Sequence, residues 1–484
     1  MNKILWFRFD LRLHDNEAVK EALKDGKTLP IFIFDEEYFK LEVSSSFHLQ
    51  FCIDSISELE DEFQKHYNTK LNIYYGDTLE ILKYLINKFN INEIYSTHHY
   101  KNKQLRNLDQ QVQLLCHEKN TQWKTYNQFG IQLSKRDGKT WSRNWNNFIG
   151  RKIITVDQHN NFLQDDHVID YSQIITNSLS SSNIQRGGRT KAVDLLDSFI
   201  KHRSENYQKL MSSPITGESA CSRLSPYISF GNISLQEIYQ RVSLSNLNSM
   251  QQKKSINAFK KRLAWHCHFI QKFYDEPNIE YENMNAAYNG LRENSFNEQY
   301  FEAWKSGMTG YPFIDACMRY LTNRGWINFR MRAMLVSFAS YQLWLDWRVT
   351  SKHLAKLFTD YEPGIHYSQF QMQSGTTGIN TIRVYNPIKQ SYDQDPQCMF
   401  IKKWVPELIN IPDSLAHEPW KLTYLEQQSY DFKLGKDYPL PIVDNASSTK
   451  NARDKIWKIK LSAESRILSK TVLQKHTSAV TNFS

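Results

Sequence analysis

The sequence predicts an α/β N-terminal domain built on a parallel sheet, followed by an all-helical C-terminal domain. Over residues 1–128, short apolar runs alternate with helical segments, which is the pattern of parallel strands joined by crossover helices. From about residue 190 onward, helical periodicity is nearly unbroken and almost no segment resembles a strand. A length of 484 residues also suits two domains better than a single core.

The N-terminal elements follow one another without internal repeats. Strands are predicted at residues 4–9, 29–34, 71–75 and 93–96, and helices at 16–23, 79–89 and 102–117. The turn after the first strand, from Asp10 to Asn16, contains no glycine. The G-x-G-x-x-G dinucleotide fingerprint is therefore absent, and the fold alone does not establish a cofactor.

We place the domain boundaries where the periodicity changes. Residues 1–128 form the α/β domain, 129–189 a linker, 190–430 the helical domain and 431–484 a basic helical tail. The linker is rich in amides and serines, as in residues 177–183. A connection this long without regular structure is typical of a crossing between domains over the surface.

The helical half contains predicted helices at residues 192–203, 234–244, 256–273 and 297–305. Two central helices follow, from Pro312 to just before Gly325 and from Asn328 to about Trp347, with Trp344 on the same face as Trp347. The second carries arginines on a mostly apolar surface, and an acidic loop at 360–366 and a polar, Gly-rich loop at 371–380 come after it. Buried cations beside such loops predict a cofactor site.

Composition limits the remaining classes of protein. The net charge of +9 is compatible with nucleic-acid binding but does not require it. The six cysteines are scattered without a CxxC, which indicates neither a zinc site nor a disulfide framework. The first residues lack a secretory signal and no apolar segment is long enough to cross a bilayer, so we expect a cytoplasmic protein.

Several motifs resemble the photolyase and cryptochrome family over nearly the whole chain. They are residues 6–16, Thr309-Gly310-Tyr311-Pro312, Met318-Arg319, Gly325-Trp326, Asp346-Trp347-Arg348, residues 383–387 and His417-Glu418-Pro419-Trp420. The resemblance implies a Rossmann-like antenna domain and an all-helical FAD-binding domain. It implies a monomeric enzyme that uses FAD and light to split cyclobutane pyrimidine dimers in UV-damaged DNA. A cryptochrome photoreceptor without repair activity is the main alternative, and a flavin-free nucleic-acid binder is a third; the short helical tail favours the enzyme.

The resemblance also assigns the flavin site. Cys221-Ser222-Arg223-Leu224-Ser225 matches the family's phosphate loop, except that Cys221 replaces a threonine. Hydroxyls and an arginine ahead of a helix suit a phosphate, although a helix cap with a surface arginine is the alternative. Arg332 and Asp360 match a buried ion pair beside the flavin ring, where the residues alone would suggest ordinary surface charges. The other assigned flavin residues are Tyr207, Phe259, Tyr361, Glu362 and His366.

A second set is assigned to DNA. Arg262, Trp265, His266 and Phe269 recur at helical spacing, and an arginine with a tryptophan can grip a phosphate and stack on an extruded base. A tryptophan on a helix is also a common core residue. The resemblance places Trp265, Met372, Arg262 and His366 in catalysis, and Phe329, Arg330 and Gln390 at DNA.

The sequence departs from the family pattern at several of these positions. Arg262 stands where many cyclobutane-dimer photolyases have a glutamate, and Met372 where they have a second tryptophan. Asn328 and Phe329 stand where enzymes for 6-4 photoproducts have two histidines, so we expect cyclobutane dimers as substrate. His266 or His366 remains a candidate acid or base.

Electron supply and the second chromophore are also unusual. The C-terminal half resembles the bacterial iron-sulfur branch, yet only Cys398 follows Cys317, so we expect no cluster. Trp304 and Trp347 match two members of the family's tryptophan chain, whereas Phe370 stands nearest the flavin. An alternative path for electrons around Phe370 could use Tyr361, Tyr367, Trp326 or Trp344. Asn102-Lys103 lacks the acidic residue of folate-binding relatives, which leaves the antenna open between folate, a deazaflavin, another pigment or none.

Overall fold

The computed structural model describes residues 1–133, 141–156, 159, 161–166, 184–247 and 249–476. Its N-terminal part holds a parallel sheet in the order β3-β2-β1-β4-β5, which is the strand order of the Rossmann type. The strands are β1 Asn2–Phe7, β2 Lys27–Asp35, β3 Asn72–Gly76, β4 Glu93–His98 and β5 Gln122–Asn127. The predicted fold class is confirmed.

Helices cover both faces of this sheet. Successive residues of β1 alternate between two apolar clusters, with Leu5 and Phe7 in one and Ile4 and Trp6 in the other. A strand buried on both faces becomes a continuous apolar run, which is why β1 was recognisable in the sequence. The helices of this part are Glu17–Ala22, Glu36–Lys40, Ser46–Tyr67, Thr78–Phe89 and Lys103–Glu118.

The C-terminal part consists of helices that pack partly around a second apolar core and partly on the core cluster that they share with the α/β part. Its α-helices are Arg189–Ser198, Tyr207–Leu210, Pro214–Ala220, Ser225–Ser229, Leu235–Leu244, Met250–Asp275, Glu298–Ser306, Pro312–Arg324, Phe329–Ser337, Trp347–Leu357, Pro363–Ser374, Pro387–Gln394, Met399–Trp404, Asp413–Ala416, Tyr424–Ser429, Asn445–Lys460 and Ala463–His476. Phe199–Arg203 and Phe338–Gln342 are π-helical, and Pro277–Glu280, Ala286–Tyr288, Pro406–Leu408 and Pro419–Lys421 are 3₁₀ turns. In the part of the chain that the structure describes, no helix combines the length and apolar character needed to cross a membrane.

The structure corrects two sequence expectations. The helix expected from Asn328 to Trp347 ends at Gln342: Trp344 has a φ of +55°, and Trp347 begins a new helix capped by Asp346. Trp344 and Trp347 therefore do not share a helix face. The segment expected as a linker contains the helix Trp141–Gly150, because its apolar residues at four-residue spacing form one buried face; its residues 167–183 lie outside the described part.

The helical part docks on the carboxyl ends of the central strands. Phe51 packs against Tyr227 and Phe230 with ring centroids 5.0 Å apart in both cases, so one core cluster spans the two parts. The backbone nitrogen of Leu11 donates to the carbonyl oxygen of Phe230 at 3.1 Å. A Cβ on Gly231, whose φ is +73°, would lie 2.2 Å from the Phe9 carbonyl oxygen, so this contact requires glycine.

Candidate functional site

A cavity of about 170 Å³ lies within the helical part. Three helices border it: Pro363–Ser374 packs on both Met250–Asp275 and Phe329–Ser337. Its apolar wall consists of Phe329, Ala333, Val336, Phe358, Ile365 and Phe370, and its polar groups come from Ser225, Ser229, His266, Arg332, Asp360, Tyr361, Glu362, His366, Gln369 and Gln373. Such a mainly apolar pocket with a few convergent polar groups is typical of a cofactor site.

Arg332 and Asp360 form the predicted ion pair in the wall of this cavity. Nη1 and Nη2 of Arg332 each donate to one carboxylate oxygen of Asp360 at 2.9 Å, while Nε donates to the Ile327 carbonyl at 2.7 Å. Burial alone would raise the pKa of Asp360, yet the arginine charge and its hydrogen bonds outweigh burial and hold the pKa below its ordinary value. The cavity therefore contains a carboxylate that stays ionised at neutral pH.

Glu362 supplies a second carboxylate, and its partner comes from the α/β part. Lys101, in the loop after β4, places Nζ 2.5 Å from Oε2 of Glu362. The other carboxylate oxygen, Oε1, is buried and has no hydrogen-bond partner. The sequence analysis missed Lys101, because 261 residues separate it from Glu362.

Both histidines of the cavity are neutral. Nε2 of His366 donates to the Ser351 carbonyl at 2.9 Å, and burial lowers the pKa of His366 to about 3. His266 packs edge-on against Phe129 with centroids 4.9 Å apart, and burial lowers its pKa to about 3 as well. The structure thus places His266 in the cavity wall and not on the exposed face with Trp265, because adjacent helix positions point about 100° apart.

The expected phosphate loop carries a cluster of cations. Arg203, which the sequence analysis did not single out, donates to the backbone carbonyls of Cys221 and Ser222. Burial raises the pKa of the Cys221 thiol to about 11, although the charges of Arg203, Arg223, Arg262 and Arg332 act in the opposite direction. Two of these arginines have carboxylate partners, since Nη1 of Arg223 lies 3.6 Å from Oε1 of Glu218 and Arg332 is paired with Asp360. Four arginines against two carboxylates suit an anionic ligand.

Arg223 adopts an unusual backbone conformation in this loop. Its φ is +62°, its guanidinium lies 4.0 Å from the centre of the Trp326 ring, and Nη2 donates to Gln185 Oε1 at 3.0 Å. Nε is buried without a partner. The other expected cofactor residues pack beside the loop, with Leu224 buried and the rings of Tyr207 and Phe259 6.1 Å apart.

Comparison with known proteins decides the family. Residues 3–129 match the sequence model described as DNA photolyase, and residues 259–458 match the one described as the FAD binding domain of DNA photolyase. The chain belongs to the photolyase/cryptochrome family. The cavity also fits FAD, since two of its lining residues, Glu362 and His266, have buried polar atoms without a partner, Oε1 and Nδ1, that suit a ligand with donors and acceptors.

Individual relatives of this family cover almost the whole chain. The deoxyribodipyrimidine photo-lyase of Alkalihalophilus pseudofirmus is 29% identical over 93% of this chain and 96% of its own length. Cryptochrome DASH of Synechocystis is 27% identical over 93% and 97%. An archaeal photolyase from Sulfolobus tokodaii, solved with two FAD molecules, has a TM-score of 0.79 at 28% identity, covering 95% of this chain and 100% of that one.

Of the residues expected to contact DNA, only His266 and Phe329 are among the residues that line the cavity. Phe329 lines the cavity and is 49% exposed, so the cavity opens to the surface at this ring. Trp265 is 43% exposed and rests on Phe269, which is itself buried, with centroids 5.7 Å apart. Arg262 is also exposed, whereas Arg330, Met372 and Gln390 are half-buried.

The aromatic residues assigned to electron transfer are buried but differently connected. Phe370 lines the cavity and stacks on His366 at 4.6 Å. Trp347 approaches Tyr367 at 6.4 Å, and Tyr367 approaches Tyr361 at 6.4 Å with the two hydroxyls hydrogen-bonded at 3.1 Å. Of the four suggested detour residues, Tyr361 and Tyr367 thus lie between the cavity and Trp347, while Trp344 contacts Arg292 and Lys455.

A smaller crevice lies at the carboxyl ends of the strands in the α/β part. It measures about 40 Å³ and includes Trp6, Arg8 and Tyr38. Nη2 of Arg8 donates to Asp109 at 2.6 Å, and its guanidinium lies 4.4 Å from the centre of the Trp6 ring. Asn102 caps the helix Lys103–Glu118, so its role here is structural.

Proposed function

We propose that this protein repairs DNA by using FAD and blue or near-UV light to split cyclobutane pyrimidine dimers. The observation that supports the proposal is the exposed Trp265 on the helix Met250–Asp275, which borders a cofactor cavity that opens at Phe329. An exposed tryptophan can stack on a nucleic-acid base, and a base extruded from the duplex presents its face for such stacking. Bound reduced FAD would supply the light-driven electron, and the protein supplies binding, orientation and electrostatics.

Each residue around the opening has a defined part in this proposal. Trp265 stacks on the extruded pyrimidines, and Met372 adds apolar and sulfur contact. Arg262 and Arg330 neutralise phosphates of the strand that carries the damage. The Arg332–Asp360 pair holds a fixed charge distribution beside the flavin without moving a proton.

Cyclobutane dimers fit the site better than 6-4 photoproducts. Proton transfer to a 6-4 product calls for a histidine that can carry a proton, and burial lowers the pKa values of His266 and His366 to about 3. Asn328 occupies the position of one family histidine, and its Nδ2 donates to the carbonyls of Met211 and Ser212 at 3.0 and 2.7 Å. Asn328 therefore serves the backbone and not a substrate.

A photoreceptor is the second candidate, because a cryptochrome DASH matches nearly the whole chain. The deciding experiment gives the reduced, FAD-loaded protein an oligonucleotide with one thymine cyclobutane dimer, in light and in darkness, and counts intact dimers by chromatography. We expect loss of the dimer in light only, and no loss of a 6-4 photoproduct under the same conditions. Intact dimers after illumination of fully loaded, reduced protein would favour the photoreceptor.

We leave the second chromophore open within this proposal. The Sulfolobus tokodaii structure is described as implying a novel light-harvesting cofactor, and the crevice at Trp6 and Arg8 is the corresponding candidate place by the general rule for open α/β sheets. Chromatography of the pigments released from the purified protein would identify it. A cytoplasmic, monomeric state also remains a prediction.

A further inference from the structure

Lys101 is a buried cation that reaches from the α/β part to Glu362, one of the residues that line the cofactor cavity. Its side chain is 7% exposed, and its ammonium lies 4.8 Å from the centre of the Phe9 ring. Besides Glu362 it contacts the carbonyl oxygen and Oγ of Ser229 at 3.4 and 3.3 Å. A buried ammonium is costly without such partners, so its position behind Glu362 requires a physical reason.

Glu362 shows what the ammonium achieves. One carboxylate oxygen contacts Lys101 at 2.5 Å, and the other is buried, unpartnered and part of the cavity-lining residue. An ionised carboxylate can only accept hydrogen bonds, whereas a protonated one also donates. The charge state of Glu362 therefore decides how well Oε1 can accept a hydrogen bond from an N–H group of a bound ligand.

Burial and Lys101 act on that charge in opposite directions. Burial is the larger effect and leaves the pKa of Glu362 above its ordinary value, while the ammonium and its hydrogen bond limit the rise. Without Lys101 only burial would remain, and the carboxyl would take up a proton at a higher pH than in the wild type. Lys101 is thus the cation that favours the ionised form of Glu362, in which the free oxygen only accepts hydrogen bonds.

We propose that Lys101 is a positioning residue that holds Glu362 as a carboxylate for an N–H group of the FAD ring, so that FAD affinity depends on docking of the α/β part. Lys101 lies in the loop after β4, and Glu362 immediately precedes the helix Pro363–Ser374. The contact therefore couples two elements of different domains at the cofactor. The inference rests on FAD binding and is independent of whether the protein repairs DNA.

The other titratable groups around the Lys101–Glu362 contact do not change their charge in the pH range of the test. Burial lowers the pKa of His266 to about 3 and that of His48 to about 4, in both cases with a contribution from Lys101. Asp360 is held below its ordinary pKa by Arg332, and burial raises the pKa of Tyr38, with the charge of Glu362 adding to the rise. Between about pH 6 and pH 9, a change at this site therefore reports Glu362.

The test dilutes FAD-loaded full-length protein and follows release of FAD by its fluorescence over that pH range. Lys101→Met should bind FAD at least about tenfold more weakly than wild type at pH 6, the value of one lost charge-assisted hydrogen bond, and should recover as pH rises. Lys101→Arg should stay within about threefold of wild type, because it restores the cation. Thermal melting of each variant reports folding separately.

A second variant keeps the inference falsifiable if Lys101→Met folds poorly. Glu362→Gln cannot ionise, so its FAD affinity should be weaker than wild type and independent of pH, and adding Lys101→Met to it should change the affinity little. Equal weakening of Lys101→Met at every pH, or a Glu362→Gln protein with wild-type affinity, would overturn the proposal. Failure of dimer repair alone would leave it standing.

Discussion

The substitution Arg332→Met tests how much the buried Arg332–Asp360 ion pair contributes to the stability of the protein. The change removes two hydrogen bonds of 2.9 Å to Asp360 and one of 2.7 Å to the Ile327 carbonyl, and leaves Asp360 buried and unpaired. Breaking a buried pair on one side costs about 3–5 kcal/mol. Because the Arg332 side chain is 21% exposed, we expect a loss near the lower end of that range at neutral pH.

The loss should depend on pH in a definite direction. In the wild type the pKa of Asp360 lies below its ordinary value, so the stability from the pair is present at neutral pH and is lost as pH falls through that depressed value. In the variant the unpaired carboxyl has a raised pKa and accepts a proton on mild acidification. The difference in stability between the two proteins should therefore shrink as pH is lowered from about 8 to about 5.

Urea unfolding of the full chain, with and without saturating FAD, measures this effect, and only the FAD-loaded samples include lost cofactor binding. The double variant Arg332→Met with Asp360→Asn is the matched control, since it removes the stranded charge. It should be more stable than Arg332→Met alone by at least about 1 kcal/mol at neutral pH. Equal stability of the single and double variants would refute the reasoning.

The remaining predictions concern the cofactor, DNA and electron supply. Arg223→Ala should weaken FAD retention by roughly 1.5–3 kcal/mol, and flavin content equal to wild type after dialysis would reject the phosphate assignment. Trp265→Ala should lose roughly 1–3 kcal/mol of binding to UV-irradiated DNA but little on intact DNA, and equal losses on both would contradict a pocket role. Iron and acid-labile sulfide assays should find no cluster, and stoichiometric iron would disprove this. Light-driven reduction of oxidised FAD should be slow and faster in Phe370→Trp, with repair from chemically reduced FAD nearly unchanged. Trp347→Phe should slow it further, because the Tyr361–Tyr367 contact leads to Trp347, and an unchanged rate would point to another route.

The fold class and most helices of this protein follow from local sequence patterns. The apolar runs at β1 and β2 and the caps at Asn16 and Ser234 sit where the structure has strands and helix starts. Arg332 and Asp360 were paired by the family resemblance, and the structure brings them together. These features depend on neighbours in sequence or on a recognisable motif, so they could be predicted from the sequence alone.

Other features of the site depend on tertiary contacts that cannot be predicted from a local sequence pattern. Lys101 contacts Glu362, which lies 261 residues away in the sequence, only because the α/β part and the helical part are docked together. His266 shares a helix with Trp265, yet packing against Phe129 turns it into the cavity and removes its charge. The break at Trp344 needs the left-handed backbone that packing imposes. Periodicity fixes which face of a helix is apolar, whereas only the packed structure decides which buried groups become partners, because burial and pairing are set by elements distant in the chain.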